Sequence, residues 1–180
     1  AGDGGTTDAT SIGCYIVCDA GNPIAGSHYY ILLRVGNWHY DGASMAMSDQ
    51  AKHIVGEFIP YMRSKYHMRE STIMIDPACK ALRLEIEKLG LMTQGADNNA
   101  HDVKGTTKGL MCGIEMAQGA LTNDRILFVD DDRYGIVPLM TEFGLYCVDD
   151  KGNPIDAYNH CCDEFRYGVN YFLKQYGLWN

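Results

Sequence analysis

The chain has no CxxC pair, no GxxxxGKS/T phosphate loop and no apolar run long enough to cross a bilayer. Each absence removes a class of function. Without CxxC spacing, Cys14, Cys18, Cys79, Cys112, Cys147, Cys161 and Cys162 do not make a zinc finger, and their odd number suits reduced thiols better than a disulfide framework. Cys161 and Cys162 are adjacent, and adjacent side chains converge poorly on one ion, so zinc held by that pair is disfavoured. Without the phosphate loop there is no ATP-driven motor of that type. The first residues lack the basic-then-apolar order of a signal peptide, so the chain reads as soluble and intracellular. Excess positive charge is missing too. Fifteen Lys and Arg stand against 23 Asp and Glu, a formal net charge of −8. A module that grips nucleic acid by its own charge is usually basic, whereas a metal-dependent nuclease needs an acidic site for its cations.

What remains is an ordinary globular composition, 46% hydrophobic and 21% charged. At 180 residues the chain suits one domain with a sizeable core. No repeat, low-complexity stretch or linker divides it.

The opening Ala1-Gly2-Asp3-Gly4-Gly5-Thr6-Thr7-Asp8 is an acidic, Gly-rich turn. Ile12–Cys18 and Tyr29–Val35 read as a hairpin, with Asp19–Pro23 as its turn and a polar stretch around Trp38 following. Ser48 is placed to cap a helix ending near His67, whose apolar stripe is Ile54, Val55, Phe58, Ile59 and Met62. Ser71–Ile75 is a short buried strand delivering Asp76 to its carboxyl end, where functional groups of open α/β sheets gather, and Pro77 suits the first turn of a helix. Leu82, Ile86 and Leu89 continue that helix to Gly90. Gln94–Thr107 reads as a polar surface loop. Lys108–Leu121 reads as a helix from the spacing of Leu110, Ile114, Ala117 and Leu121, and Arg125–Val129 is a strand. The run Asp130-Asp131-Asp132 reads as a solvated loop rather than a metal cluster. A helix over Val137–Tyr146 and a turn at Asp149–Asn153 precede the last helix. The order implies a mixed sheet flanked by helices.

That last helix opens with Asn159-His160-Cys161-Cys162-Asp163, and Phe165, Val169, Phe172, Leu173 and Tyr176 recur at helical spacing. One stripe should pack while the first turn stays at the surface. His160 and Asp163, three residues apart, face one point and suit a divalent metal, although Asp and Asn are also common helix caps. Three dispersed carboxylates, Asp3, Asp76 and Asp163, hold comparable positions at element ends. Brought together, three anions repel unless cations stand between them. Two divalent ions about 4 Å apart activate water on one side of a phosphodiester and stabilise the leaving oxygen on the other. Oxygen ligands suit Mg²⁺ or Mn²⁺, and one His tilts toward Mn²⁺.

With these residues the chain resembles the C-terminal nuclease domain of the large terminase subunit of tailed bacteriophages, a fold of ribonuclease H type. The likeness runs from Asp3 in the Gly-rich start, through Asp76 in Ile73-Met74-Ile75-Asp76-Pro77, to Asn159-His160 with Asp163, Arg166 and Tyr167. Lys108-Gly109, Gly113-Ile114, Glu142 and Tyr146 match intermediate segments. The resemblance implies that Asp3, Asp76 and Asp163 are catalytic metal ligands with His160 as a further one, that Arg166 and Tyr167 pack beneath the site, and that Lys108 and Lys104 touch DNA. Asp8 is the reserve for Asp3. It further implies one nuclease domain over residues 1–180 without the motor domain of a full terminase. The expected activity is divalent-metal-dependent endonucleolytic cleavage of concatemeric double-stranded viral DNA, in the cytoplasm of an infected bacterium. The implied partners are DNA, the terminase ATPase domain, the small subunit and the portal; no membrane is involved.

Two rivals start from the same residues. Asp3-Gly4-Gly5-Thr6-Thr7 also resembles the phosphate turn of actin-like ATPases and sugar kinases, whose second lobe is not found in 180 residues. The other rival is a catalytically idle domain that docks on a viral assembly.

Overall fold

The computed structural model describes residues 1–4, 9–24, 28–42, 44–68, 72–100, 109–155 and 157–176. Three strands open the chain: β1 (Gly2–Gly4), β2 (Thr10–Ile24) and β3 (His28–Tyr40). They join β4 (Ile73–Ile75), β5 (Thr93–Gly95) and β6 (Ile126–Phe128) in one mixed sheet, ordered β5-β4-β1-β2-β3-β6. β1 runs antiparallel to β2 and parallel to β4, and the β4–β5 and β3–β6 pairs are parallel.

Helices cover both faces. On one lie α1 (Met47–His53), a π-helical segment (Ile54–Phe58), α2 (Ile59–Lys65) and α3 (Lys80–Lys88). Ile54, Phe58, Met62, Leu82 and Ile86 pack there against Ile12, Val35, Trp38 and Ile75. On the other lie α4 (Leu110–Thr122), α5 (Val137–Leu145) and α6 (His160–Gln175), with Leu139, Phe165, Val169 and Phe172 against Leu32 and Ile126. The π turn sits just before Pro60, which has no N–H to return to the preceding turn, so the ladder loosens there.

Several local expectations need correction. Residues 19–23 lie within β2, whose pairing with β3 shifts register between Asp19 and Ile24, so they are not the turn of the hairpin. Trp38 is a buried residue of β3, not part of a polar stretch. Ser48 does not cap α1: Ala46 holds the cap position, and its carbonyl accepts the Asp49 and Gln50 amides. Pro77 lies in a turn before α3, whose cap is Cys79. Part of the expected 94–107 loop is β5, an edge strand whose polar residues carry no apolar alternation. In α4 the small residues Cys112, Gly113, Ala117 and Ala120 face inward while Leu110 is exposed, because α4 packs closely on α6. A Cβ on Gly113 would meet Asn170 Nδ2 at 2.8 Å and Arg166 Cδ at 3.2 Å, so glycine lets the helices approach.

Asp131 is the clearest exception to the solvated-loop reading of the acidic run. It is buried, pairs with Lys65 at 2.9 Å, and accepts bonds from the Tyr66 hydroxyl and the Arg133 and Tyr134 amides. Burial pushes its carboxyl up, but Lys65 and these donors outweigh that and hold it well below the usual carboxylate range. A lowered folded value stabilises the fold above the unfolded value of about 3.9, and that gain is lost as pH falls further. Asp131→Asn is therefore expected to cost about 1–3 kcal/mol at neutral pH. In urea titrations the gap between variant and wild type should narrow between pH 7 and pH 3; a gap independent of pH would contradict this.

Candidate metal centre

Sheet register brings the expected acids to one end of the fold. Asp3 pairs with Ser11, and Ser11 with His39, so the three form a row across β1, β2 and β3 with side chains on the α6 face. Ile12, Trp38 and Ile75, one residue along, face the opposite core. Asp76 follows Ile75 directly, and its amide donates to the Gly2 carbonyl at 2.9 Å, which sets it beside Asp3 at the carboxyl end of β4.

The start of α6 lies over this edge. His160 Nδ1 is 2.9 Å from Asp3 Oδ2. One turn on, Asp163 Oδ1 accepts from Arg166 Nη2 at 2.9 Å and Nε at 3.2 Å. The Asp3, His160 and Asp163 side chains are 14, 21 and 18% exposed, mostly enclosed yet open to a cleft of about 840 Å³. Asp76 is the most buried of the four. Its Oδ2 accepts from the Tyr167 hydroxyl and from Asn98 Nδ2 at 3.3 Å, and its Oδ1 from the Ala78 amide at 2.6 Å in an Asx turn.

Electrostatics tie the set together. Burial pushes the Asp163 carboxyl up, Arg166 opposes, and the negative charges of Asp3 and Asp76 add to the rise. Burial also pushes the Tyr167 phenol up, and its bond to Asp76 adds to this, so the tyrosine keeps the proton it donates. Cys79, whose Sγ is 4.0 Å from Asp3 Oδ1, is pushed up to about 12 by burial and then by the Asp3 charge.

The capping alternative for His160 and Asp163 fails on a residue from another helix. Asn159 is the cap residue of α6, and its side chain makes no cap hydrogen bond. Instead Glu142 of α5 accepts the Cys161 and Cys162 amides on Oε2, at 2.7 and 3.1 Å. A carboxylate at a helix start satisfies free amides and suits the helix dipole. This leaves His160 and Asp163 directed to the cleft. The expectation that only one stripe of α6 is buried is also corrected: Cys161, Cys162 and every residue from Glu164 to Asn170 are buried, because sheet, α4 and α5 surround the helix.

His39, Asn98, Cys79 and the capping role of Glu142 carry no local signal in the sequence, since each acts on a residue far along the chain. Asp8, Lys104 and Lys108 lie outside the described residues. Among the described residues, one trio of candidate ligands has atoms all within 4.8 Å of one another, and it is His39, Glu142 and Cys161 rather than the three aspartates.

Among solved structures the chain superimposes on the large terminase of a thermophilic bacteriophage with a TM-score of 0.67 and 20% identity, over 96% of its own length. It spans 38% of that terminase chain. With the P22 large terminase nuclease domain the TM-score is 0.63 at 14% identity, covering 97% of this chain and 79% of the other. The fold is that of large-terminase nuclease domains. The nuclease domain of the bacteriophage SPP1 large terminase, a structure with bound Mn, shows the terminase nuclease fold at a TM-score of 0.57 and 15% identity, covering 95% of this chain and 84% of that one. This is a ribonuclease H-like arrangement, as the mixed sheet between helices indicates. No protein-family profile matches the sequence, and no curated protein matches it significantly.

Proposed function

We propose that this domain is a divalent-metal-dependent endonuclease that cuts concatemeric double-stranded viral DNA during genome packaging. The observation that carries the reading is that Asp3, His160 and Asp163 line one cleft, with Asp76 at the end of β4 buried beside Asp3 and its charge felt by Asp163. In the same fold, the SPP1 domain is a structure with bound Mn.

The donor set fits such ions. Three carboxylates and an imidazole are hard and borderline ligands; burial pushes Asp163 up first, the Asp3 and Asp76 charges add to it, and a cation would relieve that repulsion. Asp3, Asp76 and Asp163 would hold two Mg²⁺ or Mn²⁺ ions, with His160 as a further ligand. Bound there, the ions supply Lewis acidity toward the phosphodiester and lower the pKa of the attacking water.

The chain's own residues orient the ligands. Arg166 donates twice to Oδ1 of Asp163 and so orients its carboxylate. Tyr167, Asn98 and the Ala78 amide fix Asp76, while His160 and the neighbouring Cys79 thiol border Asp3. No separate general base is assigned. DNA contacts from Lys104 and Lys108, and assembly with an ATPase domain, small subunit and portal, belong to the same proposal.

Supercoiled plasmid should be nicked or linearised with Mn²⁺ or Mg²⁺ and left intact with chelator; cleavage that survives chelation would refute the reading. Removing an outer partner of a ligand typically lowers metal affinity or activity by about 10–100-fold. Tyr167→Phe should fall in that range, mainly as a higher Mn²⁺ requirement. An unchanged metal titration would leave Tyr167 a packing role only.

A further inference from the structure

The trio His39, Glu142 and Cys161 includes none of the aspartates and is assigned no part in the proposed cleavage. It joins β3, α5 and α6. Cys161 Sγ is 3.5 Å from His39 Nδ1. In a tetrahedral zinc site with Zn–S of about 2.3 Å and Zn–N of about 2.0–2.1 Å, the sulfur–nitrogen edge is about 3.5 Å. Glu142 gives Oε2 to the α6 amides, and a carboxylate has a second oxygen to offer. His39 and Glu142 both line the cleft that Asp3, His160 and Asp163 share, so a cation has a route in.

We propose that His39, Glu142 and Cys161 form a second, distinct cation site of the Zn²⁺ class, with a fourth position open to the cleft. Thiolate, imidazole and carboxylate together favour Zn²⁺, whereas Mg²⁺ takes oxygen ligands. Binding replaces the Cys161 S–H bond with a metal–sulfur bond and releases one proton to solvent. Such an ion ties the first turn of α6, the turn carrying His160 and Asp163, to β3 and α5. The pairing escapes a reading of Cys161-Cys162 because Cys161 finds its co-ligands on other elements rather than on its neighbour.

The site shares no ligand with the aspartate centre, and the test separates them. Metal-free protein is titrated with Co²⁺ and then Zn²⁺ while thiolate-to-cobalt charge-transfer absorption is followed. One Co²⁺ per chain should give the band, and Zn²⁺ should displace it. Cys161→Ser should abolish the band and His39→Asn should weaken binding at least about tenfold, while Asp163→Asn retains it. Circular dichroism checks each fold; if Cys161→Ser misfolds, the half-buried His39→Asn decides. No band in wild type would overturn the site and leave the 3.5 Å contact as a thiol–imidazole hydrogen bond. A band surviving Cys161→Ser or His39→Asn, or lost in Asp163→Asn, would overturn it equally.

Discussion

Asp163→Ala is expected to reduce metal-dependent plasmid cleavage by at least about 10³-fold, since losing several kcal/mol of transition-state charge stabilisation amounts to that factor. Asp163 is the carboxylate of the set that α6 supplies, so removing it leaves that helix with His160 as its one proposed ligand. The alanine variant also frees the Arg166 charge, which is buried, and Asp163→Asn is therefore the companion: it keeps an oxygen for Arg166 while removing the anion. The two variants should lose cleavage alike. Their stabilities should differ in an informative way. Asp163 is raised above its unfolded value, so folding disfavours its ionised form, and stability falls as pH rises through the folded value. Asp163→Asn removes that penalty, and the metal-free variant should melt no lower than wild type at neutral pH. Mn²⁺ should raise the melting temperature of wild type more than that of Asp163→Asn, because a ligand that binds only the folded state stabilises it. Equal cleavage by wild type and Asp163→Ala would mean a contaminant or a wrong site, and the assignment of α6 would fall.

Arg34→Met should be the most destabilising single substitution. Arg34 Nη2 donates to Glu164 Oε2 at 2.7 Å, with both side chains fully buried between β3 and α6. Arg34 also bonds the Gly36 carbonyl and lies 4.8 Å over the Tyr15 ring. Gly13 has no side chain where Glu164 enters; a Cβ there would collide with its carboxylate. Removing one partner strands a buried charge and costs about 3–5 kcal/mol, a large share of a domain's stability. Since Glu164 adjoins Asp163, the loss should also loosen the metal centre. Urea unfolding of Arg34→Met, Glu164→Gln and the double variant measures the coupling. The double variant should lose less than the sum of the singles; strict additivity would mean that the pair is not a coupled unit.

The fold class and the order of the three aspartates were legible because both rest on local patterns. β4 is a short apolar run ending in Asp76, and α6 shows its helical period over sixteen residues. β1 and β5, three residues each, are too short to show any period. The burial of Asp131 was not legible either, because Lys65 and Tyr66, which satisfy it, are more than sixty residues away.

By itself the sequence determined the periodic elements, the acidic balance and the residue types able to hold divalent ions. Tertiary structure decided which of those residues meet. Pairing β1 between β2 and β4 sets Asp3 beside Asp76, and α6 then brings His160 and Asp163 over them. It also decided that Glu142, not a residue of the local sequence, caps α6, and that Cys161 faces His39 rather than its neighbour. Spacing along a chain encodes the face of a helix or strand, but a polar group is satisfied by whatever partner the fold brings within about 3 Å, however distant in sequence.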